Sequence, residues 1–418
     1  MRIFLLAAIG FLVLPSASMA ADWAKWRGPN GNHVAPAGQS VPTEWNKTQN
    51  VVWKVEVPGR GHSSPTVIGD LIILTSADEQ NQQQGVFAFD RATGKRLWGT
   101  VVSTGGFPKI HTKNTHASST ACSDGKQIYA TFNHHYKIQA VALDMSGKIV
   151  WTKDVGRFAP EKYKYGYAAS PTLHNDTLII AADCDTEGWL KSLDTKTGNV
   201  VWQQQRPKKL NWGSPIVANV SNRLQLLLGG CDQIASYDPE TGKPLWATPC
   251  LTMATGGTVV WDEDTVYGSG GFPDKVTVAV KADGSGQIPW ENGVKCYEQS
   301  MLIHNDYLYA VDDGGVAFCW HAKTGREMWK ERLRGPVSAS PVLVGDTIYA
   351  SNERGTTFVF KANPQRFEAV ARNQLGTESF ATATVIDSRI YLRVADGAGQ
   401  SRRETLYAIG NASATDSR

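Results

Sequence analysis

Nine histidines, six cysteines and several clustered acids give this 418-residue chain the raw material for metal or acid–base chemistry. Their spacing removes most of it. His134-His135 and the pair His111/His116 have no carboxylate at a metal-ligand spacing and read as surface histidines. Asp183-Cys184-Asp185, Asp262-Glu263-Asp264 and Asp312-Asp313-Gly314 look like calcium loops, but Asp favours turns by bonding its own backbone, and each cluster falls where a turn is needed. The sequence contains no G-x-S-x-G, P-loop or H-E-x-x-H, so nothing supports a hydrolase. Two other segments carry more promise, GGFPKIHTKNTH (105–116) and GRFAPEKYKYGY (156–167). Their rings and cations suit a planar or anionic molecule, such as a quinone cofactor, a sugar acid or an acidic peptide segment.

The elements that must position such groups show first in the composition. A net charge of +3 with 19% charged residues gives no electrostatic footprint for nucleic acid. With 40 glycines and 14 tryptophans the chain is turn-rich and β-rich, poor in what a helical bundle needs. Arg2, the apolar stretch Ile3 to Leu14 and Ser18-Met19-Ala20 read as a cleaved signal peptide over 1–20. That apolar stretch is too short to anchor the chain across a bilayer, and no cysteine follows it to carry a lipid. A periplasmic or secreted protein is expected, with no transmembrane anchor.

All six cysteines lie beyond the leader, and none forms a CxxC or an adjacent pair. In an oxidising compartment they could be small buried hydrophobes or disulfides. Cys184 and Cys231 occupy matching places in neighbouring units, as do Cys250 and Cys296, so two bridges between units are conceivable from the sequence.

Those units are a repeat. Trp98, Trp151, Trp202, Trp246, Trp290 and Trp329 each follow a glycine by four residues, in forms such as FDRATGKRLW, LDTKTGNVVW and YDPETGKPLW. The run before D-x-x-T-G is a strand, its glycine permits a positive-φ turn, and the Trp segment is the antiparallel return. Two further runs precede each motif, as in SSPTVIGDLIILTS, which makes four strands and the size of one propeller blade. The eighth unit ends one strand short, and Val51–Val57 with Trp53 can supply that strand. Ring closure of this kind removes exposed sheet edges. The expected architecture is therefore all-β, an eight-bladed β-propeller over 51–410, with an N-terminal arm at 21–50 and a tail at 411–418. Two units are degenerate: VKADGSGQIPW lacks the full turn, and FKANPQRFEAV lacks its Trp. A weaker blade joint is expected where the tryptophan is lost.

The pattern in FDRATGKRLW resembles the repeat of the PQQ-like β-propellers, which include quinone alcohol dehydrogenases and the propeller subunit of the outer-membrane barrel-assembly machinery. WRGPNG (Trp26 to Gly31) with VVWKVEVPG and SSP is similar to secreted, largely uncharacterised members of that group. The resemblance spans roughly residues 22 to 410 and implies a fold rather than a function, since one propeller hosts enzymes and scaffolds alike. It also implies that the first strand of each blade lines a channel, so the residues before it rim one mouth. That rim reads Arg60/His62, Lys113/His116, Tyr165/Tyr167, Asn211/Trp212, Thr255, Tyr297/Glu298, Arg334/Ser338 and Glu378/Phe380. The segments 105–116 and 156–167 are long insertions beside it, as binding faces often carry.

The resemblance implies PQQ with calcium for the dehydrogenases, held by acidic and amide side chains under a vicinal disulfide with an aspartate base. Here Trp212 could stack on such a cofactor, but no adjacent cysteines and no rim aspartate are present, and the mouth-facing acids are Glu298 and Glu378. The reading is a monomeric, non-catalytic binding or scaffold propeller of the cell envelope, holding a ligand or an envelope protein at its mouth. A PQQ-dependent alcohol or sugar dehydrogenase is the alternative.

Overall fold

In every D-x-x-T-G turn of the computed structural model, which describes residues 22–411, the Asp carboxylate accepts the Thr backbone N–H. Asp90 Oδ1 accepts from the Thr93 backbone N–H at 2.8 Å and from its hydroxyl at 2.6 Å, and Gly94 follows at φ +74°. Asp194 and Thr197 repeat the arrangement. These turns close the third strand of each blade onto the fourth.

The strands assemble into eight four-stranded antiparallel sheets, one per blade. Blades 1 to 7 run in chain order over 66–104, 122–157, 172–205, 216–249, 260–292, 302–332 and 342–374. Blade 8 takes three strands from 384–410 and its outermost from Val51–Val57, which pairs antiparallel with Arg403–Gly410. The ring is closed as the sequence predicts. First strands of adjacent blades approach one another and line the channel, while the apolar core sits between blade faces, as in the cluster of Tyr129, Trp151, Leu178 and Trp189. The leader falls outside the described residues, as does the tail beyond 411. Among the described residues, no helix is long and apolar enough to cross a membrane.

The repeated tryptophan is a latch between blades. Trp151 Nε1 donates to Thr195 O of the next blade at 2.8 Å, and Trp202 (to Pro239 O), Trp53 (to Arg91 O), Trp98 (to Met145 O), Trp290 (to Ala322 O) and Trp329 (to Asn363 O) do likewise. The turn glycine lies on the indole of the preceding blade, not its own. A Cβ on Gly198 would sit 2.8 Å from Trp151, and one on Gly242 would sit 2.4 Å from Trp202. Glycine is therefore required twice, for its positive φ and for this contact.

Both degenerate units are repaired. At the joint between blades 4 and 5, Trp246 Nε1 donates instead to Gln225 Oε1 at 2.7 Å, and Gln225 Nε2 donates to Ala282 O at 3.0 Å. Buried Gln225 thus relays the missing bond. Blade 7 lacks its own indole, and Trp45 from the N-terminal arm fills that place. Trp45 packs on Tyr349 with ring centroids 6.1 Å apart, matching the blade-internal pairs Tyr309–Trp329 at 6.2 Å and Tyr129–Trp151 at 6.1 Å. Asn373 pins it, accepting from Trp45 N at 2.8 Å and donating to Thr43 O at 2.8 Å. The expected gap at this joint is filled.

The rest of the arm crosses the far end of the channel. It bridges Trp23 to Val67 in blade 1 and Val34 to Leu343 in blade 7. Between them, Arg27 Nη2 donates to Met301 O of blade 6, and Trp26 Nε1 to Thr258 Oγ1 of blade 5. The bridges conceived for the cysteines are absent, since all six are free. Cys184 Sγ faces Thr186 Oγ1 at 3.2 Å, whereas Cys231 Sγ points to Asp183 at 3.6 Å and Lys209 O at 3.5 Å. Each thiol is thus engaged by its own surroundings, and burial raises Cys231 and Cys250 above the usual thiol range.

Candidate functional site

The channel opens into a cavity of about 190 Å³ at the mouth that the sequence points to. Its floor is a belt of hydroxyl residues, one per blade: Ser64, Thr120, Ser170, Ser214, Thr258, Ser340 and Thr382 line it, and Ser300 continues the ring in blade 6 without lining the cavity. The backbone N–H of Ser64 donates to Thr120 Oγ1 at 3.0 Å, that of Thr120 to Ser170 Oγ at 2.9 Å, and that of Ser170 to Ser214 Oγ at 2.9 Å. The same bond joins Thr258 to Ser300, Ser300 to Ser340 and Ser340 to Thr382. Trp26 stoppers the belt from below, and its indole lines the cavity. Small side chains suit an axis approached by eight blades, and each blade places a hydroxyl there.

The two insertions clasp each other above this floor. His111 N donates to Lys164 O at 2.8 Å and Asn114 Nδ2 to Tyr165 O at 2.6 Å, while His111 and Tyr165 pack at 4.9 Å. Trp212 then ties the second insertion down, donating from Nε1 to Gly166 O at 2.8 Å and meeting Tyr165 edge-on at 5.7 Å. Lys113 reaches across the mouth to Glu298 Oε1 of blade 6 at 3.0 Å and to Glu353 Oε1 of blade 7 at 2.8 Å. Burial works to lower the Lys113 ammonium, but the two carboxylates outweigh it and hold the group above the ordinary lysine value. On the far wall His62 stacks on Phe380 at 4.4 Å. Burial first, then Arg60, Arg393, Arg402 and Lys113, push the His62 imidazole well below its usual range. It is neutral, and its Nε2 is buried without a partner.

Eight of the fifteen rim residues named from sequence therefore meet at the cavity: His62, Lys113, Tyr165, Trp212, Tyr297, Glu298, Ser338 and Phe380. The other seven do not line it. Arg60 turns outward to Glu79 and Thr112 O. His116 lies behind the belt against Phe107 at 4.1 Å, brought down to about 4 by burial and by Arg60. Tyr167 is buried, its hydroxyl donating to Ala181 O at 3.2 Å. Asn211 joins the buried Asp183–Arg206 pair, donating to Asp183 Oδ2 at 3.1 Å, and so braces Trp212 from beneath. Arg334 is exposed at φ +78°. Glu378, taken as mouth-facing, pairs with Arg402 at 2.7 Å outside the cavity lining.

Three features escaped the sequence reading. Glu353 sits after its blade's second strand, at no position that the rim alignment inspects. Trp26 belongs to the arm rather than to a blade. The belt was visible only as the serine of SSP, ASP and GSP, a pattern blurred by threonine in three blades.

A PQQ–calcium centre does not fit this donor set. The carboxylates lining the cavity number one, Glu298, with Glu353 beside it; both are committed to Lys113, and Glu353 also accepts from Ser338 Oγ at 2.6 Å. Among the described residues no three His, Cys, Asp or Glu side chains converge as hard-cation ligands. The indole face of Trp212 is the one element of such a site that is present.

Comparison with known proteins agrees with the geometry on fold and divides on activity. A polyvinylalcohol dehydrogenase of Pseudomonas is 23% identical over 298 residues, covering 56% of this chain and only 44% of that protein. Outer membrane protein assembly factor BamB of Burkholderia pseudomallei is 23% identical over 350 residues, 80% of this chain and 82% of that protein. Among solved structures, BamB from Moraxella catarrhalis superposes with a TM-score of 0.61 at 17% identity, over 85% of this chain and 96% of that one. Quinohemoprotein alcohol dehydrogenase from Comamonas testosteroni gives 0.66 at 12% identity, over 95% and 82%. The family model described as outer membrane protein assembly factor BamB matches residues 27–132, 82–331 and 274–365. With well over half its length matched and eight closed blades, the chain belongs to this PQQ-like-repeat β-propeller family.

Proposed function

We propose that the protein is an exported, non-catalytic binding propeller of the cell envelope, which holds a ligand or a partner segment at its lidded mouth. The observation that carries this reading is the closed charge cluster Lys113–Glu298–Glu353. A general base needs a free carboxylate or imidazole within reach of its proton. Here the acids are tied to an ammonium, and the one neutral imidazole lining the cavity, His62, is walled in by Phe380. A cluster of this kind holds the lid and shapes an entrance. Relatives named as outer-membrane protein assembly factors support an envelope role.

The dehydrogenase relatives favour a second reading, a quinoprotein oxidoreductase. Reconstitution with PQQ and calcium separates the two. The binding reading expects no retained quinone after gel filtration and no dye reduction with primary alcohols or aldoses. Stoichiometric quinone with turnover overturns it.

A further inference from the structure

The belt hydroxyls have a directional property that names the ligand. Six of the eight oxygens accept a backbone N–H from the neighbouring blade, and a seventh, Thr258 Oγ1, accepts the Trp26 indole N–H. None of these seven donates its own proton to another described residue, and Ser64 Oγ, although 4% exposed, has no partner at all. The belt can therefore hydrogen-bond an occupant whose polar groups are spread around its perimeter. Each belt oxygen keeps a proton to donate and a second lone pair to accept, which suits hydroxyl groups better than either a pure donor or a pure acceptor.

Charge and shape narrow the choice. The cations and anions at the entrance already satisfy one another, so a charged guest must break a Lys113 ion pair or go uncompensated. The walls, in contrast, are aromatic: Trp212, Tyr165, Tyr297 and Phe380, with Trp26 in the floor. A ring with hydroxyls on its edge and C–H groups on its faces matches both surfaces, whereas a flat hydrocarbon leaves the belt dry. On these grounds we infer that the mouth is a sugar site: it takes one uncharged polyhydroxylated ring, lying on the hydroxyl belt between Trp26 and the aromatic lid. The inference rests on the binding reading above and gives its ligand class; the anionic guest expected from the sequence is disfavoured by the closed ion cluster.

The test is calorimetric titration of the full chain with a panel of neutral aldohexoses, disaccharides and their methyl glycosides, alongside D-glucuronate and D-glucosamine. At least one neutral sugar should bind, at least about tenfold tighter than its charged counterpart. Ser170→Ala removes one belt hydroxyl and should weaken that binding by about tenfold. Trp212→Phe keeps an aromatic wall while freeing Gly166 O, and should weaken it less than Trp212→Ala. Thermal unfolding of each variant separates lost binding from lost fold. Absence of heat for every neutral sugar, or preference for a charged one, overturns the sugar site. Neither result touches the non-catalytic reading, which only quinone turnover removes.

Discussion

Two of the blade joints lack the complete tryptophan latch, and the protein closes them by opposite means. Between blades 4 and 5 the indole is present but its turn has lost the T-G form, and buried Gln225 carries the hydrogen bond across as a relay from Trp246 Nε1 to Ala282 O. Between blades 7 and 8 the turn partner is moot because the indole itself is missing. There the arm imports Trp45, which restores the packing on Tyr349, while its Nε1 stays buried without a partner. One repair restores the bond and the other restores the area. An indole covers roughly 150–250 Å² when buried, and a neutral hydrogen bond contributes about 1 kcal/mol net. The imported tryptophan should therefore matter more than the relay.

Removing Trp45 is the strongest way to break that comparison. Trp45→Ala opens a cavity against Tyr349 in the core shared by blades 7 and 8, and should cost about 3–5 kcal/mol. The same loss should follow Trp329→Ala at a joint with an intact latch, and Trp45→Phe should recover most of it. Denaturant midpoints compare the three. A cost for Trp45→Ala below that of an exposed substitution would mean that the arm merely decorates the ring.

The relay is the smaller case. Gln225→Leu conserves bulk but leaves Trp246 Nε1 and Ala282 O without the partners they now have, and should cost about 1–3 kcal/mol. Trp246→Phe in that background should add little, because its indole N–H has already lost its acceptor. In the native background the same substitution should be felt. A double-mutant cycle reads the coupling directly, and strict additivity would dissolve the relay.

These repairs also mark where the sequence stops being legible. The outer latch could be read because its parts lie four residues apart, Gly198 to Trp202, and recur down the chain. Ring closure followed from counting, since one strand was missing at one end and spare at the other. Trp45 stands outside the period, and its contact with Tyr349 spans more than three hundred residues, so no local pattern announces it. The rim was half legible for a related reason. Alignment finds which residues stand beside the mouth, but not which way they turn: Trp212 faces the cavity, while its neighbour Asn211 is drawn under by Asp183 and Arg206. Lys113 was read as a cation open to a ligand. Only the fold shows that Glu298 and Glu353 reach it from the opposite side.

The perimeter and the mouth should finally differ in their response to acid. At the outer turns, Asp90, Asp144 and Asp194 are held below the ordinary aspartate value by hydrogen bonds from Thr93, Ser146 and Thr197. A carboxylate depressed in the fold contributes stability above its unfolded value of 3.8 and loses it as pH falls below. Around the mouth the titrating groups are imidazoles, His62 and His116, both depressed by burial and then by Arg60. The unfolded chain binds their protons near 6.5 while the folded one does not, so stability is complete above pH 6.5 and falls as pH drops toward the folded value, about 4 for His116. Acidification from pH 7 to pH 5 should thus destabilise the mouth while leaving the latches intact. Thermal midpoints at the two pH values measure it: His116→Gln should flatten the difference, and an Asp194→Asn change at the perimeter should leave it unaltered. A difference that survives in His116→Gln and in His62→Gln alike would move the acid sensitivity away from the mouth, to buried His33 under the channel stopper, held well below its usual range by burial and by Arg27, or to His304 in blade 6, lowered by burial.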